Sequence, residues 1–159
     1  MKKYELTAEF IKKWGKKLFR IKALISFGSV EAGELGGYVE KEDNLAQNGD
    51  AWVYGNAEVY GNARVCGNAR VYGNADYLLI GRIGSRFSFT TFFKNKDKGI
   101  TVSCGCFLGT IAEFRAKVTD THGNNKHAKM YNLAADMAEL QILGEEHFDK
   151  LNTNKSEPF

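Results

Sequence analysis

The chain has 159 residues, with 22 Lys and Arg against 19 Asp and Glu for a net charge of +3, and is 43% hydrophobic and 26% charged. Those proportions exclude a disordered tail and describe a chain able to bury a core. They also argue against a nucleic-acid partner, because no dense Lys/Arg face accompanies the small positive charge. No apolar run reaches the ~18 residues that would span a membrane.

In chain order, Met1–Glu5 is charged with no apolar stretch behind it, so no signal peptide is expected there. The segment from Leu18 to Phe27 alternates imperfectly between apolar and basic residues, and Trp14-Gly15 marks a turn before it. A hairpin over Glu9–Phe27 is therefore expected. Its basic residues, Lys12, Lys13, Lys16, Lys17, Arg20 and Lys22, read as a solvated face.

A repeat with a period of six begins at Gly49: GDAWVY, GNAEVY, GNARVC, GNARVY, GNADYL. Small, branched and Gly positions each keep one phase, which predicts a triangular coil of three hexads, about 18 residues, per turn. The Val phase (Val53, Val59, Val65, Val71) and the Ala phase point inward, and Gly-Asn forms the corners, where positive φ is tolerated. Asn56, Asn62, Asn68 and Asn74 are placed to bridge corner backbones between coils. The phase runs back through Leu45, Val39 and Gly33, with Lys41 and Gln47 as poor interior residues, so the first coil is irregular. The expected fold is mainly β: a short left-handed parallel β-helix of about three coils with a C-terminal β-hairpin and two-helix cap. Its expected divisions are an N-terminal flank at 1–27, the β-helix at 28–78, a β cap at 79–109, a helical cap at 110–144 and a tail at 145–159.

Beyond the repeats, Leu78–Ile83, Phe87–Phe93 and Ile100–Phe107 are rich in β-branched and aromatic residues, and Asn95–Gly99 suits a hairpin loop. Thr110-Ile111-Ala112-Glu113 is a capping box opening a helix with Ile111, Phe114 and Val118 on one face. Thr121–Asn125 ends that helix, and a second runs to about Leu143 with an apolar face through Ala128, Tyr131, Leu133 or Ala134, Met137, Ala138 and Ile142. Gly144 is the expected stop. The polar Asn152–Phe159 end is expected to fray.

Ile83-Gly84-Ser85-Arg86 with Thr90-Thr91 is the most promising polar group. Ser85, Thr90 and Thr91 offer hydroxyls, and Arg86 can grip phosphate or carboxylate through two parallel bonds. His122 is added as a ligand residue. Trp52, Tyr54, Tyr60 and Tyr72 follow or flank inward residues and are expected to form an outward aromatic column, a subunit interface. Cys104 and Cys106 lie two apart on a strand, where they pack as buried thiols facing one way; a structural zinc would need four ligands. Three cysteines in all, an odd number, point to reduced thiols and an intracellular setting. None of the histidines lies in the repeats. No catalytic residue, metal or cofactor is assigned.

The hexads, together with Phe27-Gly28, Gly36-Gly37-Tyr38-Val39-Glu40, Ile83–Arg86, Thr90–Phe93, Val102–Phe107 and His122-Gly123-Asn124, resemble the hexapeptide-repeat superfamily. The likeness is greatest to small phage and prophage proteins labelled transferase-like or polymer-forming. Tyr54, Tyr60, Tyr72 and Cys66 depart from the small residue usual at that position. The resemblance implies a homotrimer in the cytoplasm of a bacterial host. It implies a non-enzymatic, phage-type protein that sequesters or blocks a host defence protein or a nucleotide-like signal. The other readings are a CoA-dependent acyltransferase and a structural or polymer-forming protein.

Overall fold

A computed structural model describes residues 1–156, with side chains described through Lys150. The chain opens with a long hairpin, β1 (Tyr4–Lys13) and β2 (Lys16–Ala23), closed by Trp14-Gly15. Next come β3 (Leu35–Val39) and three two-residue strands within the hexads: β4 (Trp52–Val53), β5 (Glu58–Val59) and β6 (Arg70–Val71). An antiparallel meander follows: β7 (Tyr77–Ile83), β8 (Ser88–Lys94), β9 (Ile100–Cys104) and β10 (Phe107–Thr110). Helices α1 (Ile111–His122) and α2 (Lys126–Ala138), a π-helical turn at Glu139–Leu143 and α3 (Glu145–Ser156) complete the described chain.

The short left-handed parallel β-helix expected from the hexads is not the fold. The sheets are mixed or antiparallel, and neither closed nor curled. One four-stranded sheet has the order β1-β2-β3-β5, with only its last pair parallel; the other, β10-β9-β8-β7, is antiparallel throughout. The repeats supply only short parallel pairings. Trp52 and Val53 pair with Arg70 and Val71, Tyr38 and Val39 with Glu58 and Val59, and Leu45 bridges Val65. The offset is 18 residues in the first case and 20 in the others. The change falls between Leu45 and Trp52, where seven positions face only the five from Val65 to Arg70. Each hexad spends most of its backbone on a corner, so continuous strands come from the flanks.

The inward residues of the first four hexads are nevertheless as expected, while Ala75 of the fifth, in a 3-10 turn at Asn74–Asp76, is exposed. Ala51, Ala57, Ala63 and Ala69, with Val53, Val59, Val65 and Val71, are buried in one core with Tyr4, Ile21, Val39 and Phe93. Gly36 and Gly37 let β3 lie against this core, since a Cβ would fall 2.6 Å from the Val53 carbonyl oxygen at the first and 2.5 Å from that of Ala57 at the second. Of the expected corner bridges, Asn74 Oδ1 accepts from the Glu58 amide at 2.7 Å. Asn44 donates to the Gly61 and Ala63 carbonyls at 3.1 and 2.9 Å.

A second core lies between the antiparallel sheet and the helices, built from Phe92, Val102, Phe114, Val118 and the alanines of α2. Thr110 caps α1 as its capping box predicts, with its hydroxyl accepting from the Glu113 amide at 3.2 Å. Tail residues 157–159 lie outside the described residues; the expected tail begins as helix α3. Among the described residues, no helix is long and apolar enough to cross a membrane.

Candidate functional site

Strand β8 separates two environments by its two-residue alternation. Phe93 packs into the repeat core and Phe92 into the helical core, so Thr91 faces the repeats and Thr90 faces the helices. The register carries the division onto β9, where Thr91 pairs with Ser103 and Thr90 with Cys104. The two threonines therefore belong to different sites.

On the repeat side, Asn62 and Arg64 from the third hexad meet Ser88, Phe89, Thr91 and Ser103 around a cleft of about 380 Å³. The Arg64 amide donates to Thr91 Oγ1 at 3.0 Å, fastening the hexad to the sheet. Ser103 is also tied to the same hexad through a side-chain hydrogen bond with Cys66; burial pushes the Cys66 thiol up, against that bond. Arg64 is exposed and is the cleft's only charged lining residue. A guanidinium beside three hydroxyls, a carboxamide and the Phe89 ring is a donor set for phosphate or carboxylate next to a planar group. Arg70, at the same position of the next hexad, instead donates to the Asp50, Asn68 and Ala69 carbonyls and serves as corner glue.

On the helix side, a smaller cavity of about 100 Å³ is lined by Cys104, Phe114, Lys117, His122 and Tyr131, among others. Thr90 Oγ1 donates to Cys104 Sγ at 3.1 Å. Tyr131 also bonds Cys104, and burial followed by the Cys104 charge raises its hydroxyl to about 12. His122 stacks on Tyr131 at 5.9 Å and lies 5.5 Å from the His127 ring. The Tyr131 hydroxyl also fills the space where Gly84 would carry a Cβ, so that glycine serves packing.

The expected ligand group is thus divided. Thr91 lines the cleft, Thr90 and His122 belong to the helix side, and Ser85 and Arg86 are exposed on the β7–β8 turn outside both linings. Asn62, Arg64, Ser88, Phe89 and Ser103 also line the cleft but were not assigned to a ligand site from sequence. The available signal was Arg in the variable position of G-N-A-x-V, which does not separate Arg64 from Arg70.

The expected aromatic column is likewise divided. Trp52 is 0% exposed, with its ring 6.1 Å from Tyr4 and 5.3 Å from Phe27, and offers no surface. Tyr54 stacks on the exposed Tyr72 at 4.5 Å, and Tyr60 packs under Trp14 at 5.1 Å. The two cysteines are not a buried pair either. Gly105 and Cys106 form the β9–β10 turn, leaving Cys104 half-buried and Cys106 exposed. Among the described residues, no group of three His, Cys, Asp or Glu could hold a metal ion.

The basic N-terminal cluster is also more than a solvated face. Arg20 donates to the carbonyls of Gly36 at 2.7 Å and Gly55 at 3.2 Å, to Asn56 Oδ1 at 3.2 Å, and to Glu9 and Tyr38. It fastens the hairpin to a corner of the repeats. Lys13 and Lys16 pair with Glu58 and Glu40.

No family model matches the chain, and no curated protein matches it. With the mixed, uncurled sheets, this overturns the likeness to hexapeptide-repeat and phage proteins, and the familial reason for a trimer goes with it.

Proposed function

We propose that this is a non-enzymatic binding protein that sequesters a small anionic molecule of nucleotide-like character in the cleft between the third hexad and strands β8 and β9. The observation that carries the reading is the placement of Arg64 beside Thr91, Ser103 and Phe89 around a concave space of about 380 Å³, within the range of small-ligand sites. Arg64 supplies charge and two parallel donors, the hydroxyls supply further donors, and Phe89 offers a face for a planar ring. Sequestration rather than turnover is favoured because His122 lies on the opposite side of the sheet, outside hydrogen-bond reach of a molecule held beside Arg64. The three free thiols support a reducing, cytoplasmic setting.

The test is calorimetric titration with inorganic phosphate, nucleoside monophosphates and cyclic dinucleotides, followed by recovery of the bound compound. One of the nucleotides should bind saturably and return unchanged, and Arg64→Ala should weaken it by at least about tenfold, the scale of a lost charge-assisted bond. Failure of every compound to bind rejects the reading. Binding indifferent to Arg64 and Ser103 rejects the site, and a chemically altered product rejects sequestration.

A further inference from the structure

Helix α2 buries one face and leaves the opposite one open. Ala128, Ala134, Ala135 and Ala138 pack into the helical core. Met130, Leu133, Met137 and Leu140 stand outside it, 37%, 63%, 55% and 44% exposed. Their spacing of three, four and three residues draws one stripe along α2 and, at Leu140, onto the π-helical turn that continues it, the alternation of a coiled-coil seam. The stripe is also symmetric about position 135. Two such helices laid antiparallel across a two-fold axis bring Met130 against the partner copy's position 140, and Leu133 against its position 137, each apolar residue meeting another. Such self-complementarity is what an isologous interface requires.

The charges at the two ends agree with this arrangement. Lys126 and Lys129 are exposed at the N-terminal end of the stripe, while Glu145 and Glu146 are exposed just past its C-terminal end. Antiparallel pairing sets each basic end against an acidic one, whereas parallel pairing would set like charges together. The helix dipoles oppose favourably in the same orientation.

We infer that a second copy of this chain docks on the outer face of α2, two-fold and antiparallel. The four side chains cover on the order of 400 Å² per partner, about half of a standard interface, so the dimer dissociates on dilution. This inference is independent of the cleft.

Sedimentation velocity of the full chain over a wide concentration range should show a reversible monomer–dimer equilibrium. Leu133→Lys and Met137→Lys, both at exposed positions, should each raise the dissociation constant at least about tenfold while leaving the circular dichroism spectrum and thermal midpoint unchanged. Tyr72→Ala should leave the equilibrium unaltered. In a Cys106→Ser background, oxidising a mixture of the Met130→Cys and Leu140→Cys variants should give the mixed cross-linked dimer, and neither variant alone should cross-link appreciably. A monomer at every concentration overturns the inference. So does a dimer or trimer insensitive to the lysine substitutions, or one lost on Tyr72→Ala. Cross-linking of Met130→Cys with itself overturns the antiparallel arrangement.

Discussion

Lys3 is 1% exposed, with its ammonium donating to the Ala51 carbonyl at 2.8 Å and the Gly49 carbonyl at 3.3 Å, over the Phe27 ring. Burial lowers its pKa to about 8, against the pull of Asp50. The unfolded chain keeps this proton to near 10.5, so between the two values the unfolded state binds more protons and folding is favoured as pH rises. The gain is on the order of 3 kcal/mol when complete. Buried Tyr4 opposes it only above about pH 10, because its hydroxyl is held above the normal range by burial and ionises first in the unfolded chain. The raised Cys66 thiol opposes it too, since it ionises first in the unfolded chain, so in a Cys66→Ala background urea unfolding should show stability increasing from pH 7.5 to 9.5, and Lys3→Met should flatten the slope. A slope unchanged in that variant would remove Lys3 as its source. Single residues also mark the limit of reading from sequence. Gln47, at a phase that expects an interior aliphatic, instead accepts from the Lys3 and Tyr4 amides at 2.8 and 3.2 Å and seats the start of β1. A polar residue in an apolar column shows that the column is interrupted, without showing by what.

At the scale of elements, legibility followed local chemistry. The Trp14-Gly15 turn, the loop around Asn95–Gly99 and the Thr110 cap are where their residues place them, because turn and cap geometry is decided within a few positions, whereas the strand expected over Ile100–Phe107 is folded back at Gly105-Cys106 into two. The hexads fixed which side chains point inward but not how long a strand each makes, which depends on the neighbouring chain. On α2, Met137 and either Leu133 or Ala134 were expected beside Ala128 and Ala138 on the buried face; the alanines are there, whereas Leu133 and Met137 are exposed. A helix with two apolar faces has no unique orientation by periodicity alone, and the small face is the one that allows close approach to the sheet. The cleft was half legible: Thr91 was named, but its separation from Thr90 follows from their strand register. The two major helices are also clamped electrostatically. Arg115 donates to Asp136 and Glu139, both at 2.7 Å, with Glu139 buried. Arg115→Leu should cost about 3 kcal/mol, since it leaves a buried carboxylate without its partner. The Glu139→Gln/Arg115→Leu double variant should recover part of that loss in denaturant titrations.

The whole molecule consists of two cores on either side of the β7–β10 sheet, with the N-terminal hairpin as the outer wall of the first. Arg20 ties that wall to β3 through the Gly36 carbonyl and to the repeats through the Gly55 carbonyl and the Asn56 carboxamide oxygen, while stacking on Tyr38. A lysine cannot reproduce the planar fork, so Arg20→Lys should lower stability by about 2 kcal/mol despite keeping the charge. Hydrogen exchange should show the loss first in the hairpin amides, and a uniform loss would contradict Arg20 as a local fastener. The same layering has a consequence for how the gene can change. Because consecutive residues of β8 belong to opposite cores, deleting one codon ahead of Thr90 would turn every later side chain of the strand to the other face, with Thr91 taking the place of Thr90, Phe92 that of Thr91 and Phe93 that of Phe92. It would also put a ring in the cleft at the place of the Thr91 hydroxyl and bring Lys94 to the buried position of Phe93 in the repeat core. Point substitution can tune the cleft, but the reading length of that strand is fixed.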